Sequence, residues 1–129
     1  MPRIDFDVER DYDEDRFSAQ AVFRSDRTKV ICGFFEPGQF IPVHAPSSDL
    51  VITVQSGTGL VRDGETDHHV APGDSIVVPA DTNRGIRAGD DSRLEVLLVV
   101  TPPPTDEEHG PVRRGLATNE FEPPLNDGQ

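Results

Sequence analysis

Two stretches decide how this chain folds: GQFIPVHAPSSDLVITVQSG at residues 38–57 and GDSIVVPADTNRGIRA at residues 73–88. Each opens on the glycine of a Pro-Gly pair, Pro37-Gly38 and Pro72-Gly73, a dipeptide that marks a turn. Written as spacings they read Gly38-x5-His44-x-Pro46-x3-Leu50-x6-Gly57 and Gly73-x5-Pro79-x-Asp81-x2-Arg84-x3-Ala88. Strand-like runs lie between these punctuation marks. Phe40–His44 has Pro42 within it, which argues for an edge or a bulge. Leu50–Gln55 is rich in β-branched residues and stops at Ser56-Gly57, and Ser75–Val78 follows the second Pro-Gly turn.

The pattern continues outward. Ala21–Phe23 and Thr28–Phe35 read as strands around the polar turn 25–27. Gly59–Arg62 and Thr66–Val70 flank Asp63-Gly64, a type I′ hairpin signal. Gly85–Ala88 and Leu94–Val100 flank the turn 89–91, and the second of these, apolar nearly throughout, is expected to be the best-buried strand. No long window has helical periodicity. Many short strands at a spacing of about 8–12 residues, separated by Gly and Pro, predict an all-β barrel or jelly roll of antiparallel strands in one domain. Three segments follow: an acidic arm at 1–20, a barrel at 21–101, and a Pro-rich polar tail at 102–129 that begins at Pro102-Pro103-Pro104. Within the arm, Ile4 to Val8 alternates apolar and polar and predicts a short strand available for exchange between subunits.

The two spacings resemble the paired signature motifs of the cupin superfamily. There the same slots usually read G-x5-H-x-H-x3-E-x6-G and G-x5-P-x-G-x2-H-x3-N, and three histidines with a glutamate hold a divalent metal. The resemblance implies a small antiparallel jelly-roll barrel with its site at the mouth, and it makes a homodimer the expected assembly. It also exposes what this chain lacks. Of the four ligand positions only His44 keeps its residue; Pro46, Leu50 and Arg84 occupy the others. Proline and leucine side chains cannot coordinate, and an arginine stays protonated with no lone pair to offer. Catalytic metal sites normally use about three protein ligands. No metal cofactor is therefore expected, and a divalent metal held partly by His44 is the alternative.

His44 can be read as a pocket base or hydrogen-bonding group, as a ligand, or as an inert relic. Arg84 can pair internally, with Glu36 or Glu95, or reach out of the mouth, or hold an anion, for which its planar fork is suited. Asp49 lies one residue from the missing glutamate, but strand parity points it away from the side on which Leu50 lies. The same parity makes Phe40, Leu50, Ile52, Val54 and Ile86 the apolar lining of the pocket, with His44 and Arg84 as its cationic corner and tentative catalytic pair. His68 and His69 diverge on one strand, and His109 falls in the tail; all three read as surface residues. Cys32, the single cysteine, reads as a small buried hydrophobe.

Composition sets outer limits. The chain has 129 residues, 24 acidic and 12 basic side chains, and a formal net charge of −12. Lys29 is its one lysine. Such an acidic, lysine-poor chain resembles proteins of salt-accumulating halophiles; a GC-rich gene is the other source of that bias. The charge argues against a nucleic-acid partner. No run is apolar enough to span a membrane, and residues 1–20 lack the apolar core of a signal peptide, so a cytoplasmic location is expected. The functional expectation is a small-molecule binder for an organic anion, or a metal-independent isomerase or lyase. The alternatives are a metal-dependent enzyme of the dioxygenase or isomerase type using His44, and a non-catalytic structural or regulatory dimer.

Overall fold

The computed structural model describes residues 3–105 and 107–122. Its strands are β1 (Ser18–Arg24), β2 (Lys29–Phe35), β3 (Phe40–His44), β4 (Asp49–Gly57), β5 (Gly59–Asp63), β6 (Thr66–Val70), β7 (Ser75–Val78), β8 (Arg84–Ala88) and β9 (Leu94–Thr101). They form two sheets, in the orders β1-β2-β9-β4-β7 and β3-β8-β5-β6, with every pairing antiparallel. This is an all-β jelly roll. Between the sheets lies one apolar core, built from alternate residues of the strands. On β4, Leu50, Ile52 and Val54 are buried while Asp49 is exposed. β9 lies at the centre of the larger sheet, and Leu94, Val96, Leu98 and Val100 all face the core. Its near-continuous apolar run is what a central strand requires.

The bracketing glycines of both motifs have a backbone reason. Gly38, Gly57 and Gly73 all have positive φ, at 78°, 82° and 95°. At Gly57 a Cβ would also lie 1.7 Å from the carbonyl oxygen of Arg93, so no side chain fits there. Asp81, where the motif usually carries glycine, has φ 64°. Aspartate is among the few residues that tolerate this left-handed conformation. Its N–H donates to the Pro46 carbonyl at 2.9 Å, tying the two motifs together.

Three expectations are corrected. Ile4 to Val8 is no strand; Phe6–Glu9 forms a helical turn, α1, capped by the Asp5 carboxylate, which accepts from the Asp7 N–H. The two-residue alternation is too short to outweigh that cap. Only Phe6 of its apolar residues packs well, edge-on to Phe34 at 5.9 Å, while Val8 is 75 % exposed. The arm instead folds back on its own sheet, where Arg10 Nε and the Tyr12 hydroxyl each donate to Glu95 at 2.6 Å. Strand β1 begins already at Ser18. Second, the hairpin loop is Gly64-Glu65, one residue later than Asp63-Gly64, because Asp63 still pairs with Thr66. Only Gly64 has positive φ, the pattern of a type II′ turn rather than I′.

Third, the polar tail contains structure. A 3₁₀ turn (Glu107–His109) leads into helix α2 (Gly110–Thr118), with Pro111 in its first turn and Asn119 as a left-handed cap. α2 packs on β3, where a Cβ added to Gly115 would lie 2.5 Å from Pro42 Cβ. The helix escapes a periodicity reading because Val112 and Leu116 are its only large apolar residues. Residues 123–129 of the expected tail lie outside the described residues. Among the described residues no helix is long and apolar enough to cross a membrane.

Candidate functional site

The site begins with a bulge. β3 pairs with β8 through Phe40–Arg87, Ile41–Ile86 and His44–Arg84, and the register slips between Ile41 and His44. In a regular strand, residues three apart point to opposite faces. Here Ile41 and His44 line the same cavity. The extra residue at Pro42-Val43 restores the parity and re-aims the histidine, the usual effect of a bulge beside a site. Proline suits this place because it has no N–H to give the ladder. Val43 turns its N–H away from β8 to the Phe121 carbonyl at 2.7 Å.

A cavity of about 320 Å³ opens between the two sheets. Strand register shows how it is layered. Lys29 and Leu50 both pair with Val100, and these three residues form one layer with His44 and Arg84 facing them. Ile31 and Leu98 pair in the next layer, opposite Ile41 and Ile86. Phe17 and Ala19 close the β1 side, and Pro104, His109, Val112 and Arg113 lie along the C-terminal segment. The polar and charged groups are therefore at one end and the apolar walls at the other.

Of the residues singled out in the sequence, the structure brings His44, Leu50, Arg84 and Ile86 together on this wall. Three others belong elsewhere. Ile52 and Val54 point the right way but are buried in the core without bordering the cavity. Phe40 is on the other phase of β3 from Ile41 and packs edge-on against Phe121 at 5.8 Å. Asp49 faces outward and accepts from the Ala80 N–H. His68 and His69 diverge on β6, away from the cavity. His109, read as a surface residue, instead lines the cavity.

His44 is not cationic at neutral pH. Burial, reinforced by the Arg84 charge, pushes its imidazole down to about 4 even though the Pro42 carbonyl accepts from Nδ1 at 2.9 Å. A carbonyl oxygen can only accept, so Nδ1 carries the proton and Nε2 keeps its lone pair. Arg84 is 3 % exposed. Its Nε donates to the Thr82 carbonyl at 3.2 Å and its Nη2 to the Pro79 carbonyl at 2.8 Å. Burial lowers its pKa, and the fields of Asp49, Asp63, Asp81 and Glu108 oppose that. Among the described residues no carboxylate lies within salt-bridge range of it. The suggested partners are engaged elsewhere: Glu95 by Arg10 and Tyr12, Glu36 by Arg93 at 2.7 Å. At the mouth, the Glu108 carboxylate accepts from the Thr105 and Ser47 N–H groups, which hold it down at about 2. That contact ties the C-terminal segment to the loop after β3.

The donor set does not fit the divalent metal that the motif resemblance implies. A buried guanidinium faces His44 where a ligand would be needed, and the Leu50 side chain is part of the apolar core. Among the described residues no three His, Cys, Asp or Glu side chains are grouped to hold an ion.

Most of the cavity wall is not legible in the motifs. Lys29 and Ile31 are in phase with Gly33 and the core residue Phe35, so alternation along β2 could have placed them. The contributions of α2 could not be placed while its helix went unread.

The chain matches a Cupin domain family model over residues 34–100. No curated protein matches it. Among solved structures, TT1209 from Thermus thermophilus is 30 % identical with a TM-score of 0.77, the match covering 81 % of this chain and 100 % of that one. An RmlC-like cupin from Desulfovibrio desulfuricans is 32 % identical with a TM-score of 0.64, over 72 % of this chain and 89 % of that one. The polyketide cyclase RemF from Streptomyces resistomycificus shares the fold at 18 % identity and a TM-score of 0.63, over 69 % of this chain and 67 % of that one. With the motif glycines Gly38, Gly57 and Gly73 at left-handed turns and the family model matching residues 34–100, this chain belongs to the cupin superfamily.

Proposed function

We propose that the cavity binds a small organic anion without a metal and that His44 acts on it as a general base. One observation carries this reading: Arg84 is buried at the cavity wall with two carbonyls as its hydrogen-bond partners and, among the described residues, no carboxylate within salt-bridge range. A buried charge without a counter-ion is costly, and a guanidinium has N–H groups beyond the two used here. A carboxylate entering the cavity would complete it. Among the described residues no Asp or Glu lines the cavity, although the chain carries 24 of them. Cavities of a few hundred Å³ with apolar walls and a few polar groups suit small molecules.

The neutral His44 supports a catalytic version. Its Nε2 lone pair can take a proton from carbon next to the bound carboxylate, while Arg84 stabilises the charge that builds on the oxygens. That is the first half of an isomerisation or an elimination. RemF, named a polyketide cyclase, is consistent with this fold carrying small-molecule chemistry.

A thermal-shift screen of small carboxylates and phosphates tests binding, repeated on Arg84→Met. A charge-assisted bidentate contact contributes about 1.5–3 kcal/mol, so its loss weakens binding roughly 10- to 150-fold. If no anion stabilises the wild type, or if hits stabilise the variant equally, the reading fails. Proton exchange of bound acids in D2O, followed by NMR on wild type and His44→Gln, separates catalysis from binding. Elemental analysis tests the metal-dependent alternative: near-stoichiometric metal lost on His44→Ala would establish it.

A further inference from the structure

We propose that the ligand carries two separated negative charges, one held by Arg84 and the other by Lys29 on the opposite sheet. This rests on the anion site above and specifies its substrate class: a dicarboxylate, or an acid of similar charge spacing, with an apolar body between the charges.

Lys29 is the one lysine among 129 residues, and it stands in the inward phase of β2, two residues before Ile31 in the same cavity wall. Its Cα partner Val100 and that residue's other partner, Leu50, line the cavity with it. Arg84 occupies the facing sheet, opposite His44. The two cations therefore reach one cavity from its two sheets. Neither has a carboxylate within salt-bridge range among the described residues, whereas Arg10, Arg62 and Arg93 each hold one. The Arg62 contacts, to Asp67 and Glu122, lie away from the cavity. In a chain with twice as many acids as bases, a cavity that brings Lys29 and Arg84 from its two sheets onto one lining, with no acid beside them among the described residues, is suited to an anion that reaches both. Neutral His44 does not compete for either charge. A monocarboxylate on Arg84 would leave Lys29 facing solvent, and a phosphate monoester would place both charges at one point.

Three probes separate these cases: benzoate, isophthalate and phenyl phosphate, titrated calorimetrically at low ionic strength into wild type, Lys29→Met and Lys29→Arg. Wild type should prefer isophthalate to benzoate by about tenfold, the effect of one added charge-assisted contact. Lys29→Met should bring isophthalate down to the benzoate value and leave benzoate unchanged, and Lys29→Arg should restore the difference. Because Lys29 is the only lysine, reductive methylation with labelled formaldehyde gives a single side-chain NMR signal apart from the α-amine. That signal should shift with isophthalate and stay fixed with benzoate. Equal loss of benzoate and isophthalate in Lys29→Met, no loss of either, or a preference for phenyl phosphate that ignores Lys29 overturns the two-charge assignment and leaves the anion site standing. Failure of all three probes to bind wild type overturns the anion site itself, and this inference with it.

Discussion

His44 and Arg84 are direct partners across the β3–β8 ladder, and the arginine's charge helps keep the histidine neutral. Burial does most of this work. A histidine whose folded pKa is near 4 and whose unfolded value is about 6.5 contributes stability that is fully present above 6.5. That stability is lost as the pH falls from about 6.5 toward 4, because the unfolded chain takes up the proton first. Urea unfolding should show wild type losing roughly 1–2 kcal/mol more than His44→Gln between pH 6.5 and 5. Parallel curves for the two proteins would show that the imidazole is not buried in this way.

Asp81 stands where the motif usually has glycine and carries φ 64°. Left-handed backbone costs an ordinary L-residue about 1–2 kcal/mol. Asp81→Val should therefore lower stability by about that amount, while Asp81→Gly should change it by less than about 0.5 kcal/mol, strain relief offsetting the greater freedom of the unfolded glycine. Equal thermal midpoints for the Val and Gly variants would contradict this.

The legibility of the chain follows from these details. The strands could be read because alternation and Pro-Gly turns are local signals, and β3 begins and ends where its residues predict. The motif spacing also located Arg84 and His44, since it fixes where two strands meet. Parity gave the direction of Leu50 and Ile86 but not which inward positions border the cavity, so Ile52 and Val54 were misplaced. Phe40 was misplaced because a bulge reverses phase partway along a five-residue strand. α1 and α2 were missed for another reason. α1 starts from a single local cap at Asp5 and α2 has only two large apolar residues, and both are further held by contacts far away in sequence, Phe6 on Phe34 and Gly115 on Pro42, which no local window contains.

Glu95, 3 % exposed on the outward phase of β9, joins the arm to the barrel through Arg10 and Tyr12. Burial alone would raise its pKa, but hydrogen bonds from Arg10 and Tyr12 outweigh that and hold it below the usual range. Arg10→Ala should lower stability at pH 7 by leaving a buried carboxylate short of its partner. A group of this kind contributes stability above its unfolded pKa, about 4.3, and loses it as the pH falls through the folded value. The penalty should therefore shrink at pH 3. Denaturant titrations at both pH values check it; an equal penalty at both would assign the loss to packing.

The net charge of −12 bears on the proposed halophilic setting. At 1 M salt the Debye length is about 3 Å, so repulsion between surface carboxylates is removed. The thermal midpoint should climb steeply from 0.1 to 3 M KCl. A midpoint that stays flat would attribute the acidic composition to the base content of the gene.

The contact of Gly115 with Pro42 gives the C-terminal helix a role in the site that its few apolar residues would not suggest. Pro42 belongs to the bulge that turns His44 inward, and the glycine lets the helix axis come close enough to brace it. The same helix supplies Val112 and Arg113 to the opening. Cover and proposed base thus share a single mechanical joint, so under the proposed function a substitution that lifts the helix should widen access to the cavity while loosening the histidine.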